Sequence, residues 1–231
     1  MEKSLAIAEG GNKMNGFLLV MDQMPLLLKG AWKTIELAIF SLFFAAIIGL
    51  VFGLFRVSRS KLLRAITKFY VSLIRGTPLY VQLIFFYFGV FPLIIKGSIE
   101  PTTAGIFVLS INAGAYLVEI FRGGIESIDR GQMEAGRASG LSYWQTMRHV
   151  ILPQAVKRMI PAFLNQFIIS LKDTSLFATI GVAELTYTAQ TIYSINFKAF
   201  QFLTAIAVMY WIIITLLTWM ATFLEKRWVS E

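Results

Sequence analysis

The chain of 231 residues is 57% hydrophobic and only 15% charged, and its 21 Lys and Arg against 13 Asp and Glu leave a net charge of +8. Soluble domains carry about 25% charged residues, so the composition argues against a soluble enzyme, and basic residues that punctuate long apolar runs argue against a nucleic-acid partner. With no Cys and a single histidine, His149, neither thiolate chemistry nor a histidine metal cluster is expected.

The N-terminus shows no basic region followed by an apolar core and a small-residue cleavage site, so removal of a leader is not expected. Residues 1–33 are read as an N-terminal interfacial segment, with 17–28 as an interfacial helix leading into the first span because Asp22, Pro25 and Lys29 break up its apolar run. A helix needs roughly 20 mostly apolar residues to cross the hydrocarbon core. Charge-free stretches then place five spans at residues 37–55, 76–95, 101–118, 159–183 and 199–224. The fourth is interrupted by Lys172 and Asp173, and it reaches full length only by starting in the basic stretch near Pro153. Gly49 and Gly53 form a small-xxx-small pair suited to a close helix neighbour, although glycine is common in membrane helices in any case.

Basic residues set the orientation. Arg56, Arg59, Lys61, Arg64 and Lys68 lie between the first two spans, and Arg122, Arg130, Arg137, Arg148, Lys157 and Arg158 lie between the third and fourth. Those loops are expected in the cytoplasm. The fold class is therefore an all-α polytopic membrane protein, one transmembrane domain over residues 1–231, with its N-terminus outside and its C-terminus inside.

The connector 122–158 is long and not apolar. Ser127 and Asp129 are candidate caps, and Gly131 and Gly140 mark breaks. Met133, Ala135, Ala138 and Leu141 form the apolar side of a short helix that exposes Glu134 and Arg137. By composition alone, a solvated amphipathic connector fits as well as a docking element.

The connector resembles the Glu-Ala-Ala signature of the membrane subunits of ATP-binding cassette importers. Glu134, Ala135, Gly140 and Leu152-Pro153 match, Val150 stands for Ile, and Gly136 replaces the second Ala. "RGTPLYVQLIFFY" from Arg75, "AYLVEIFRGGIESIDRGQ" from Ala115 and "LKDTSLFATIGVAEL" from Leu171 resemble the polar amino acid branch of that family. The resemblance implies a type I importer permease fold in the cytoplasmic (inner) membrane. It also implies a second permease subunit, two cytoplasmic ATP-binding cassette subunits that hold ATP and Mg, and an extracytoplasmic amino-acid-binding protein. Residues 122–158 become the coupling loop, with Glu134, Ala135, Arg137, Gly140 and Leu141 facing the ATPase, and the small residue at 136 is expected to allow close packing against that partner. No G-x-x-x-x-G-K-[ST] stretch occurs, so ATP hydrolysis is assigned to the partner and this chain is expected to bind no cofactor or metal of its own.

Ionisable groups deep in a bilayer are expensive, so those present are candidates for function. Asn112, Glu119, Asn165, Gln166, Lys172, Asp173, Thr174 and Ser175 are the substrate-path candidates, with an ion pair from Glu119 to Arg122 and helix-to-helix hydrogen bonding as the structural alternatives. The polar run 172–175 is expected to line a cavity or a break in a helix. Glu184 and Tyr187 are the outer-gate candidates. The acids at 119, 173 and 184 point toward a basic amino acid such as arginine, lysine or histidine, with glutamine or glutamate left open. A self-contained secondary transporter and a non-transporting membrane scaffold are the competing classes.

Overall fold

The computed structural model describes residues 16–229 apart from Arg59 and Lys96. Among the described residues every regular element is helical.

Residues 16–22 are helical and break at Gln23, after which α1 (Met24–Val57) runs without interruption. Pro25 sits in its first turn, where a missing N–H costs nothing. The helix thus starts well before the boundary at 33 expected for the interfacial segment, and it carries Lys29 and Lys33 inside it; the expectations for residues 1–15 lie outside the described residues. At 1.5 Å per residue, a helix of 34 residues is far longer than the roughly 30 Å hydrocarbon core. Its first turns can therefore stand at the interface, where lysine stems lie along apolar surface and their heads stay wet. Lys33 also pairs with Glu36 at 3.0 Å.

The basic stretch expected as a loop is a helix, α2 (Lys61–Arg75), capped by Ser60, whose hydroxyl accepts the Leu63 N–H at 3.4 Å. Thr67, Val71 and Ile74 form its buried side. It leads through Gly76, Thr77 and Pro78 into α3 (Leu79–Ile94) with a bend of 102°. The residue before a proline is pushed out of helical geometry, which explains the break. Phe85–Val90 within α3 is in π register.

Glu100 caps α4 (Pro101–Glu126), accepting the Thr103 N–H at 2.8 Å. Helices α1 and α4 meet along small residues. A Cβ on Gly49 would sit 2.6 Å from Leu117 Cβ, and one on Gly114 would sit 2.8 Å from Ile48 Cγ2. Gly53 faces Phe121 of the same helix, so the pair at 49 and 53 does mark the close-approach face.

Next come α5 (Arg130–Ala138), α6 (Tyr143–Thr146), a π-helical stretch (Met147–Ile151) and α7 (Leu152–Asp173), which passes into a 3-10 helix (Thr174–Ile180). Helices α8 (Leu185–Asn196) and α9 (Ala199–Val229) complete the chain. Helices α1, α4 and α9 are long and apolar enough to cross a membrane, and the bent α2–α3 pair adds a fourth crossing if counted as one span.

Buried apolar clusters tie these elements together. Leu37, Leu83, Val108 and Phe177 join α1, α3, α4 and the 3-10 helix. Leu27, Ala31, Leu185, Phe202 and Ile206 join α1, α8 and α9. Large apolar side chains left exposed, such as Phe43, Ile47 and Leu54 on α1 and Trp211 and Trp219 on α9, are the faces that lipid can cover.

Candidate functional site

The connector between α4 and α7 is a short helix with defined ends. Asp129 opens α5 by accepting the Gly131 N–H at 2.7 Å. The helix closes with Leu141 N–H donating to Gly136 O and Gly140 N–H to Arg137 O, each at 3.1 Å. This is a Schellman closure, and it puts Gly140 in left-handed backbone at φ +87°. A Cβ on Gly140 would meet nothing within 4 Å, so glycine serves the backbone conformation here. Gly136 is the opposite case. It is buried, and a Cβ would collide with Thr146 Cγ2 and sit 2.9 Å from Thr146 Oγ1. The small residue expected to favour a partner thus serves packing inside the chain, between α5 and α6.

Glu134, Ala135 and Arg137 are exposed and Leu141 is half-buried. Helix α6 adds Tyr143 and Trp144, 48% and 75% exposed and set edge to face with ring centres 5.7 Å apart. Sequence reasoning passed over these two; the available signal was an aromatic pair in a polar loop, directly after a Ser142/Gln145 capping box that pins the start of α6. Behind this surface, Met133 packs into a cluster with Ile125 of α4 and with Ile151, Ala155 and Met159 leading into α7. The exposed connector is therefore mechanically fastened to both of those helices.

The path candidates divide into exposed and buried sets. Arg158, Ala162, Asn165, Ile169 and Lys172 are exposed and recur at spacings of three and four along α7, which makes one stripe. On α4, Tyr116 and Gly123 are exposed and Glu119 is half-buried at the same spacing. Glu119, Gly123, Arg158 and Ala162 line a shared cavity of about 300 Å³, so the two stripes adjoin. The Arg75 guanidinium lies 5.1 Å from the Tyr116 ring centre, which brings the end of α2 to this surface. Glu119 accepts Arg122 Nε at 2.9 Å and Nη2 at 2.7 Å, and Arg122 also pairs with Glu126. Asp173 is half-buried at the end of α7. Beyond it, the buried Thr174 donates its hydroxyl to Leu171 O at 2.8 Å and Ser175 donates to Lys172 O at 2.7 Å, so both hydroxyls serve the junction with the 3-10 helix.

Asn112 and Gln166 are buried. Asn112 Nδ2 donates to Gln82 Oε1 at 2.9 Å, while Gln82 Nε2 donates to Ile74 O at 2.8 Å and Thr77 Oγ1 at 2.7 Å. Gln82, absent from the sequence candidates, thus holds the bend between α2 and α3. Gln166 Nε2 donates to Ser170 Oγ at 3.4 Å within α7. Asn165, the residue before this buried amide and about 100° from it around the helix, is exposed.

Glu184 is 0% exposed. Its carboxylate accepts Tyr210 Oη at 2.9 Å, Thr34 Oγ1 at 3.4 Å, and the N–H groups of Thr186 and Tyr187 at 2.9 and 2.8 Å. It therefore caps α8 and joins that helix to α1 and α9, out of reach of any external partner in this conformation. Tyr187 is half-buried and lines an open cavity of about 720 Å³ with Lys29, Trp32, Lys33 and Glu100. Burial pushes the Glu100 carboxyl up, but hydrogen bonds from Thr102 and Thr103 outweigh it and hold the group below its ordinary value. Among the described residues, no group of three metal-ligating side chains converges.

A bundle with long apolar helices, a fastened polar connector and a polar stripe on adjoining helices defines a membrane transport component. Residues 30–230 match the family described as binding-protein-dependent transport system inner membrane component, and the chain belongs to that family. It is a multi-pass membrane transport subunit and not an enzyme. It is 44% identical over 208 residues, 90% of this chain and 95% of the relative, to the glutamine transport system permease protein GlnP of Escherichia coli (strain K12). It is 32% identical over 215 residues, 93% of this chain and 98% of the relative, to the arginine transport system permease protein ArtQ of Bacillus subtilis (strain 168). A crystal structure of an amino acid ABC transporter with histidines superposes with a TM-score of 0.88 at 35% identity, covering 91% of this chain and 98% of that one.

Proposed function

We propose that the chain is the permease subunit of an ATP-driven importer of a polar or charged L-amino acid. In this reading it is a single permease domain of five spans in the cytoplasmic (inner) membrane, with α3 as the second and α7 with its 3-10 extension as the fourth, the N-terminus outside and the C-terminus in the cytoplasm. The observation that carries it is the fastening of the exposed α5–α6 connector to α4 and α7, the same helices that bear the polar stripe.

Two ATPase subunits, holding ATP and Mg, close beneath the membrane and press on Glu134, Ala135, Arg137, Gly140 and Leu141, with Tyr143 and Trp144 as apolar anchors. The Met133 cluster passes that movement to α4 and α7. A second permease subunit faces the stripe and encloses the route, and a binding protein delivers substrate near the outer cavity at Lys29, Lys33 and Tyr187. Along the stripe, Arg75, Arg158, Asn165 and Lys172 offer donors to a carboxylate, and Glu119 and Asp173 offer acceptors to an ammonium. With the Glu184 carboxylate committed inside the bundle, one of the acids that pointed toward a basic substrate no longer does so. The glutamine and arginine relatives support the polar amino acid class without choosing within it.

The native chain has no Cys, so single cysteines at Asn165 and Lys172 report cleanly. Their labelling by a polar thiol reagent in the reconstituted complex should change between nucleotide-free and ATP-bound states, while a cysteine at Trp211 on α9 should not. Equal labelling of Asn165 and Lys172 in both states would remove the path assignment.

A further inference from the structure

Helix α2 presents three faces. Thr67, Val71 and Ile74 are buried against the protein, and Leu62, Ile66, Phe69 and Leu73 form an exposed apolar row. Lys61, Arg64 and Lys68 form a basic row between those two. At 100° per residue each face takes roughly a third of the helix circumference. A solvated loop helix would need no exposed apolar third, and a transmembrane helix would not carry the basic one. Both together describe a helix lying at a membrane surface.

The basic row closes a cavity of about 550 Å³ lined by Arg56, Lys61, Arg64, Lys68, Arg122 and Glu126. Arg122 is already paired with Glu119 and Glu126. Among the described residues Arg56, Lys61, Arg64 and Lys68 have no ion-pair partner. Arg56 Nη1 is moreover buried without a hydrogen-bond partner, and a guanidinium nitrogen left so is costly unless an acceptor arrives. No residue of the α5–α6 connector lines this cavity. Val57, at the end of α1, also lines this cavity and is exposed and apolar.

We infer that this cavity is a binding site for the phosphate headgroup of an anionic phospholipid, whose acyl chains lie along Leu62, Ile66, Phe69 and Leu73. Concentrated positive charge selects the phosphate, and the adjoining apolar row selects a lipid over a free anion. The site rests on the proposed topology only for its assignment to the cytoplasmic leaflet.

The test is lipid retention by the complete transporter in nanodiscs of equal phosphatidylglycerol and phosphatidylcholine, counted by native mass spectrometry. The Lys61→Gln/Arg64→Gln/Lys68→Gln variant should lose the preference for phosphatidylglycerol, about fivefold for each charge removed, with phosphatidylcholine retention unchanged. The Lys61→Arg/Lys68→Arg variant should keep it, which separates charge loss from misfolding. An unchanged preference in the Gln variant would overturn the site, as would displacement of the lipid by an equal concentration of glycerol phosphate. Loss of ATPase association without loss of lipid would assign the basic row to the ATPase and also overturn it. The nanodisc carries the same lipids in both leaflets, so this outcome does not depend on orientation. Sidedness is read separately by labelling a cysteine at Ser60.

Discussion

Asn112 Nδ2 donates to Gln82 Oε1 at 2.9 Å, tying the middle of α4 to the first turn of α3 just beyond the 102° bend. Gln82 in turn satisfies the Ile74 carbonyl, one of the carbonyls that the end of α2 leaves without a helical partner. Hydrogen bonds between membrane helices average about 0.6 kcal/mol, so Asn112→Ala should cost about that much in unfolding free energy. Gln82→Ala also strands Ile74 and Thr77 and should cost about 2 kcal/mol. Thermal unfolding in detergent measures the order, and an Asn112→Ala effect larger than that of Gln82→Ala contradicts it.

The collision between Gly136 and Thr146 makes a conservative substitution harmful. Gly136→Ala, which restores the second Ala of the family signature, should destabilise the connector by about 1–3 kcal/mol through overpacking. Thr146→Ala removes the opposing atoms and should recover most of that loss in the double variant. A double-mutant cycle with no coupling between the two positions would show that the connector repacks freely.

Gly140 should be sensitive both to backbone conformation and to side-chain size. A left-handed conformation costs a Cβ-bearing residue about 1–2 kcal/mol, with Asn among the best tolerated. Association with the ATPase should fall for Gly140→Ala and be largely kept for Gly140→Asn. It should fall further for Gly140→Lys than for Ala, because the space around the position is open within this chain and is where the ATPase is proposed to press. A Lys variant no worse than Ala would contradict a partner pressed against this turn.

Glu184 should behave as an internal cap. Tyr210→Phe removes one donor and leaves both backbone N–H bonds in place, for a cost of about 0.6 kcal/mol. Glu184→Leu strands the Tyr210 hydroxyl and two amides together, and it should lower the midpoint of thermal unfolding far more, with protease sensitivity appearing near α8. Normal stability with impaired delivery from the binding protein would restore a gating role to Glu184.

How much was legible in the sequence depended on the kind of signal. The starts of α4 and α9 follow charge-free runs with clear boundaries, so Pro101 and Ala199 are where the pattern puts them. Helix α2 was hidden because counting its basic residues as a topology signal conceals their spacing, which leaves Thr67, Val71 and Ile74 on one side. The first span was started too late because the charge-free run begins only after Glu36, whereas α1 is long enough to carry Lys29, Lys33 and Glu36 outside the hydrocarbon. In the candidate site, the stripe from Asn165 to Lys172 follows from helical period, and the pairing of Glu119 with Arg122 follows from spacing. The roles of Gln82 and Glu184 were not legible, because their partners at Asn112, Thr34 and Tyr210 are distant in sequence and burial cannot be counted from residue type alone.

The most direct measurement of the central claim is uptake of labelled amino acids by proteoliposomes holding this subunit alone or with its ATPase and binding protein. Uptake should require all three components and ATP on the side of the ATPase, and the subunit alone should move nothing. Uptake by the subunit alone, driven by an ion gradient without ATP, would contradict the assignment.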